Sequence, residues 1–206
     1  VALGDMGDEQ AIPSLLELLR DSNTKVRRIA AKGLGRIGTP ESVPALLTLL
    51  QDRHPAIRQA VVESLGRIGS SQAVPALINI VNDASYRERW AAAYALGRIR
   101  DRQAVAALAH CLESEEDENM RRAAAEALGE IGDAESVPAL ISALTDPGWF
   151  VRWAAAHALG QIHDAAAVPA LLALLDDPHE KVRWATAEAL GKLGDSRAAE
   201  RLIAAL

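Results

Sequence analysis

A period of 31 residues runs through this chain and constrains its fold more than any other feature. An Arg recurs as Arg27, Arg58, Arg89, Arg121, Arg152 and Arg183, at intervals of 31, 31, 32, 31 and 31 residues. The Pro of a V-P-A-L segment gives Pro13, Pro44, Pro75, Pro138 and Pro169, with Ala106 and Glu200 at the two remaining places. Leu-Gly pairs keep the same register from Leu34-Gly35 to Leu190-Gly191, with Leu3-Gly4 ahead of them. The single slip falls between Ala106 and Arg121, so one residue is inserted in the acidic stretch from Glu113 to Glu118. Three landmarks in one register define a tandem repeat, in which each unit buries its apolar face against the next.

Each unit reads as two helices. In the stretch from Gly132 to Ile162 the first spans about Val137 to Leu144. Pro138 sits in its first turn, where a missing N–H is no loss, and Leu140, Ile141 and Leu144 share a face. That helix stops near Asp146-Pro147, and the second runs from about Trp149 to Gln161 with Val151, Ala155, Leu159 and Ile162 on one stripe. Gly132 and Gly194 are expected to end second helices as left-handed caps. Gly129 and Gly160 lie inside second helices, where glycine costs about 1 kcal/mol relative to alanine. A recurrent cost of that kind implies a neighbouring helix passing close by.

The pattern D-x-x-x-x-V-R-x-x-A-A-x-A-L-G-x-I-G-D resembles the HEAT-like repeats of the phycobilisome-lyase type, over essentially all 206 residues. The resemblance implies an all-α fold, a right-handed α-α superhelix of about six helix pairs, spanning residues 1–206 as a single domain. The chain begins at Val1 in the tail of a second helix and finishes at Leu206 with a first helix lacking its mate, which is read as a segment of a longer array. Function does not follow from the repeat, which is shared by lyases, hydroxylases and scaffolds. A metal-dependent hydroxylase of this family carries His-Glu directly after the landmark Arg. Here those places hold Arg28-Ile29, Gln59-Ala60, Trp90-Ala91, Arg122-Ala123, Trp153-Ala154 and Trp184-Ala185, so no di-iron site is expected.

Positions that recur in every unit read as scaffold. Asp21, Asp52, Asp83, Asp146 and Asp177 each precede the landmark Arg by six residues, with Glu115 in the fourth unit. An acid and an arginine at constant offset are expected to form a ladder tying adjacent loops together. The outward face of the second helix does not repeat. Its four positions hold Thr24, Lys25, Arg28 and Lys32 in the first unit, Tyr86, Arg87, Trp90 and Tyr94 in the third, and Trp149, Phe150, Trp153 and His157 in the fifth. The sixth unit contributes Glu180, Lys181, Trp184 and Glu188.

All seven aromatic residues of the chain, four Trp, two Tyr and one Phe, fall on these positions of three units. A core that needed aromatic filling would place them on the Val, Ala, Leu and Ile stripe. Their clustering on what the resemblance makes the concave side of the superhelix marks a contact site. The bland alternative is that a Trp after the landmark Arg packs over the neighbouring helix and shields the groove floor. Arg87, His157 and Lys181 are the polar groups placed to orient a partner.

Charge on this face is graded, with Lys25, Arg28, Lys32, Arg36 and Arg67 at one end and Glu118, Glu126 and Glu130 in the middle. The net charge of −6 argues against nucleic acid, whose phosphates require a positive footprint. No run of about 18 apolar residues and no basic-then-apolar leader is present, so no membrane partner is expected. The single cysteine, Cys111, stands where another unit has Leu49, which reads as a buried filler and fits a reducing, cytoplasmic setting. His54, His110, His163 and His179 share no ligand spacing, and only His157 lies beside the aromatics. There is no glycine-rich phosphate loop, zinc spacing or nucleophile elbow. The reading is a non-enzymatic protein- or peptide-binding scaffold without cofactor. The second reading is a subunit of a phycobilin lyase or related phycobilisome-handling protein that holds an open-chain tetrapyrrole, with its acid drawn from Glu126, His157 or Glu188.

Overall fold

The computed structural model describes residues 9–194. The Leu3-Gly4 landmark, Glu200 and the partial helices at the two ends lie outside the described residues. Regular structure among the described residues is helical throughout, and it follows the repeat two helices at a time. The chain forms two compact units, residues 1–101 and 102–206.

The first unit holds α1 (Ile12–Leu18), α2 (Thr24–Ile37), α3 (Val43–Thr48), α4 (Pro55–Ile68), α5 (Val74–Asn82) and α6 (Arg89–Ile99). The second holds α7 (Val105–Ser114), α8 (Glu118–Ile131), α9 (Val137–Ala143), α10 (Trp149–Ile162), α11 (Val168–Leu174) and α12 (Glu180–Leu193). Odd numbers are the first helices of each pair and even numbers the second. Within the first unit α4 packs against both α2 and α6, and within the second α10 packs against α8 and α12.

The first helices are short, and five of the six described carry proline at their second residue, Pro13, Pro44, Pro75, Pro138 and Pro169. Sequence periodicity did not predict the single 3-10 turn ahead of each, such as Ala134–Ser136 and Ala165–Ala167. The aspartate after the helix-ending residue builds it, since Asp133 accepts from the Glu135 N–H and Asp164 from the Ala166 N–H, both at 2.9 Å. Second helices end in the left-handed conformation as expected, on Gly38, Gly69, Gly132 and Gly194. Arg100 and His163 adopt the same conformation at φ 59° and 60°, a strained choice for residues with a Cβ.

The helix-interior glycines do what their cost implied. A Cβ on Gly66 would lie 2.8 Å from Ala95 Cα, one on Gly129 2.8 Å from Ala158 Cα, and one on Gly160 2.8 Å from Ala189 Cα. Neighbouring second helices therefore touch backbone to backbone. Between the helix layers lies a core of Leu, Val, Ile and Ala, with Leu34, Leu65, Leu96, Leu128, Leu159 and Leu190 fully buried, and no aromatic side chain is buried among the described residues. Cys111 is buried as expected.

The acid-arginine ladder is present. Arg27 Nε donates to Asp52 at 3.0 Å, Arg121 Nε to Asp146 at 2.7 Å and Arg152 Nε to Asp177 at 2.7 Å. Each arginine also donates through Nη1 to its own unit's acid carbonyl, at Asp21, Glu115 and Asp146. A rung thus joins one loop to the next.

Two expectations need correction in the third repeat. Its ladder acid is not Asp83, which is exposed and accepts from the Ser85 N–H and hydroxyl. Arg58 reaches instead to Glu88, Nη2 to carboxylate at 3.1 Å. Glu88 is 5 % exposed and occupies the place that is Val26, Ile57, Met120, Val151 or Val182 elsewhere. The carboxylate is held in the rung from a turn, so the second helix there begins at Arg89 and has 11 residues, against 14 in the others. Glu88 meets only one end of the guanidinium, and Arg58 Nε is left buried without a partner.

Among the described residues no helix is long and apolar enough to cross a membrane.

Candidate functional site

The residues singled out by sequence divide between the two units. Tyr86, Arg87, Trp90 and Tyr94 belong to the first, and Trp149, Phe150, Trp153, His157, Lys181 and Trp184 to the second.

In the first unit the shortened α6 changes the arrangement. Tyr86 and Arg87 stand on the turn before the helix, not on its face. Tyr86 is half-buried with the Arg58 guanidinium 5.7 Å from its ring centre, whereas Arg87 is exposed. Trp90 and Tyr94, one helical turn apart, meet edge to face with ring centres 6.1 Å apart. Trp90 is 46 % exposed. These two rings wall a notch of about 340 Å³ between α4 and α6, completed by Glu63, Gly66, Arg67, Ala91, Ala95 and Arg98. The close approach at Gly66 makes its floor, since not even a methyl fits between the helices there without a shift.

In the second unit the aromatics stack on one another. Trp149 opens α10, and its ring lies 3.6 Å from Phe150 and 3.7 Å from His179, with interplanar angles of 26° and 7°. Two near-parallel rings at that distance must cover opposite faces of the indole. The ammonium of Lys181 lies 5.4 Å from the Trp149 centre and the Arg122 guanidinium 5.8 Å from that of Phe150. Trp149 is therefore enclosed by its own neighbours. Trp153 lies beside His157 with ring centres 5.9 Å apart and planes 11° from parallel. Phe150 and Trp184 carry the exposed apolar area, at 43 % and 64 % exposure.

Sequence reasoning set His179 aside for want of a ligand spacing, and it did not single out Arg98 or the Gly66 floor. His179 is the N-cap of α12, its Nδ1 accepting from the Lys181 N–H at 3.3 Å, which turns its ring towards Trp149. Arg98 had a legible signal, because Arg36, Arg67 and Arg98 recur one repeat apart.

The carboxylates beside the aromatics are engaged. Glu126 pairs with Arg122 at 3.5 Å and Glu188 with Lys192 at 2.8 Å. The Lys192 hydrogen bond holds the Glu188 carboxyl below its ordinary range, helped to a lesser degree by His157. Among the described residues no group of three or more His, Cys, Asp or Glu is placed to hold a metal ion.

The family model for HEAT repeats matches residues 12–95, 74–160 and 137–206. The chain belongs to the HEAT repeat family. A PBS lyase HEAT-like repeat is matched at residues 1–21. No protein of curated function matches the chain. Among solved structures this HEAT repeat chain is similar to human deoxyhypusine hydroxylase in complex with glycerol, at 24% identity and TM-score 0.53, covering 94% of this chain and 88% of that one. It is similar to the complex of CpcE and CpcF of phycocyanin lyase from Nostoc sp. PCC7120, at 23% identity and TM-score 0.57, covering 100% of this chain and 86% of that one. A designed armadillo repeat protein in complex with peptide (KR)4 aligns at 18% identity and TM-score 0.63, covering 90% of this chain and 100% of that one. At such identities the likeness is one of fold, and that fold is carried by enzymes and by binding scaffolds alike.

Proposed function

We propose that this HEAT repeat chain is a protein- or peptide-binding module that works through the outward face of its second helices. The observation that carries the reading is the placement of the aromatics. None is buried in the core, and Trp90, Phe150 and Trp184 present large apolar surface to solvent. Aromatic side chains supply rigid contact area at low entropic cost, and they concentrate at binding hot spots. His157 stands beside Trp153 and Lys181 beside Trp149, and Arg87 is exposed on the turn before α6. The designed armadillo protein, of similar fold, is in complex with a peptide, and the phycocyanin lyase neighbour is a complex of two subunits.

The alternative, an open-chain tetrapyrrole held by stacking, finds support in the lyase neighbour. The covered faces of Trp149 and the ion-paired Glu126 and Glu188 weigh against it.

A displayed random-peptide library panned against the chain and against a Trp90→Ala, Trp153→Ala, Trp184→Ala variant tests the proposal. The wild type is expected to enrich a peptide set that the variant does not, with melting curves close together. Identical sets, or none, would overturn it. Incubation with biliverdin separates the alternative, since only a tetrapyrrole site yields a coloured complex.

A further inference from the structure

The notch between α4 and α6 has features that the scaffold does not require. Neighbouring second helices run parallel, because Lys32 reaches Glu63 while Gly35, farther along α2, faces Ser64, farther along α4. Equivalent positions therefore sit side by side. Arg36, Arg67 and Arg98 occupy one such position in the last turns of α2, α4 and α6. A cation there favours the helix dipole. The helix does not demand it, however, since α8 and α10 carry Glu130 and Gln161 at the same place.

Arg67 and Arg98 are exposed, and among the described residues neither makes a hydrogen bond or an ion pair. They flank the notch on helices whose axes lie roughly 8–10 Å apart. Beside them, towards the start of α6, the notch has an apolar wall of Trp90 and Tyr94, and its lining is completed by Gly66, Ala91 and Ala95. Its carboxylate, Glu63, is already engaged, accepting from Gln59 at 3.1 Å and lying 3.9 Å from Lys32. A volume of about 340 Å³ stands at the low end of the roughly 300–1,000 Å³ of small-molecule sites, room for one or two side chains.

We infer that this notch receives an acidic side chain of a bound peptide. Its carboxylate lies between the Arg67 and Arg98 guanidinia, and an adjoining apolar residue lies against Trp90 and Tyr94. Guanidinium is the side chain best suited to fork onto a carboxylate, and an unpaired pair of them beside aromatic rings is complementary to alternating acid and apolar groups. The inference rests on the peptide-binding reading above. A nucleic acid would also offer anions and stacking bases. The unit's charge of +2, from 13 basic and 11 acidic residues, is small against the one charge per phosphate of such a partner.

A short fluorescein-labelled peptide of alternating Glu and Leu, and its Lys-for-Glu counterpart, are titrated with the full chain and followed by anisotropy. The acidic peptide is expected to bind and the basic one not. A Trp90→Ala change should weaken binding, and an Arg67→Glu, Arg98→Glu variant should lose at least about tenfold in affinity without a shift in melting temperature. Full affinity in the charge-reversed variant, or binding of neither peptide, would overturn the inference. Tighter binding of the Lys peptide, lost on Trp90→Ala, would remove the acidic occupant while leaving the peptide-binding reading standing. A labelled single-stranded oligonucleotide that binds more tightly than the acidic peptide, and depends on the same two arginines, would assign the notch to nucleic acid instead.

Discussion

The two units share one scaffold and differ in what they display on it. Both bring second helices together at a glycine, Gly66 in one and Gly160 in the other, and both lock loops with an arginine rung. Their surfaces diverge. Residues 1–101 carry a charge of +2, whereas residues 102–206, with 9 basic and 17 acidic residues, carry −8. The overall −6 is thus the sum of two unlike surfaces and describes neither. Aromatics diverge as well, standing open beside free arginines at Trp90 and partly folded in on themselves at Trp149. In an array built by repetition the copied positions hold the fold, and the uncopied ones are where units acquire separate roles.

If the scaffold is common to both units, Gly66→Ala and Gly160→Ala should cost similar amounts. Each gains up to about 1 kcal/mol of helix propensity but drives a methyl into the facing Ala backbone, a strain of typically 1–3 kcal/mol or more. Net destabilisation of about 1–2 kcal/mol in both, read by denaturant titration, is the expected result. A stabilised variant in either unit would break the comparison.

The rungs should follow next. Asp146→Ala leaves the mostly buried Arg121 with its loop carbonyls alone, and a loss of about 2 kcal/mol is expected for a charge-assisted bond of this kind. Glu88→Val restores the apolar residue that other repeats carry and yet should destabilise, because Arg58 is stranded. A neutral outcome would mean that Asp83 takes over the rung. Burial pushes the Asp52 and Asp177 carboxyls up. The backbone N–H of His54 and the Arg27 guanidinium outweigh it at Asp52, as Arg152 and the His179 N–H do at Asp177, so both end below the ordinary 3.8. A lowered carboxyl contributes stability that is complete above the ordinary value and is withdrawn as pH falls beneath it. Melting temperature should accordingly drop below about pH 4 in wild type, and less steeply in Asp52→Ala or Asp177→Ala.

Smallest is the contrast among tryptophans. Trp149→Ala removes two stacked contacts and should cost about 1–2 kcal/mol. Trp184→Ala removes an exposed ring and should stay within about 0.5 kcal/mol. Equal losses would show that Trp184 is a structural residue like Trp149.

The sequence was most legible where a residue's role is repeated. The paired helices, the close approaches at Gly129 and Gly160 and the rungs at Arg27, Arg121 and Arg152 could be read because six copies report the same physical demand. Legibility failed where one copy departs. Glu88 in an apolar place was a visible anomaly, but that it displaces Asp83 from the rung and delays the start of α6 depends on side-chain reach across repeats. The exposure of Trp90, Phe150 and Trp184 was readable from helical spacing, whereas Tyr86, on the turn before α6, and Trp149, enclosed by Phe150 and His179, depart from it. The partners of the aromatics were not readable, since the His179 stack on Trp149 depends on a cap that turns the ring, and the Arg67–Arg98 notch on two helices lying side by side.

The rung also bears on how such a chain changes in length over generations. Arg27 to Asp52, Arg121 to Asp146 and Arg152 to Asp177 each span 25 residues. A recombination that duplicates or deletes one whole period of this kind rejoins a guanidinium to an equivalent carboxylate. A change of a few residues inside a helix pair breaks that match. The one added residue between Glu113 and Glu118 falls in or beside the connecting loop, outside the Arg121 to Asp146 span. Copy number is therefore a trait that selection can vary cheaply, while the reading frame of the repeat is held fixed.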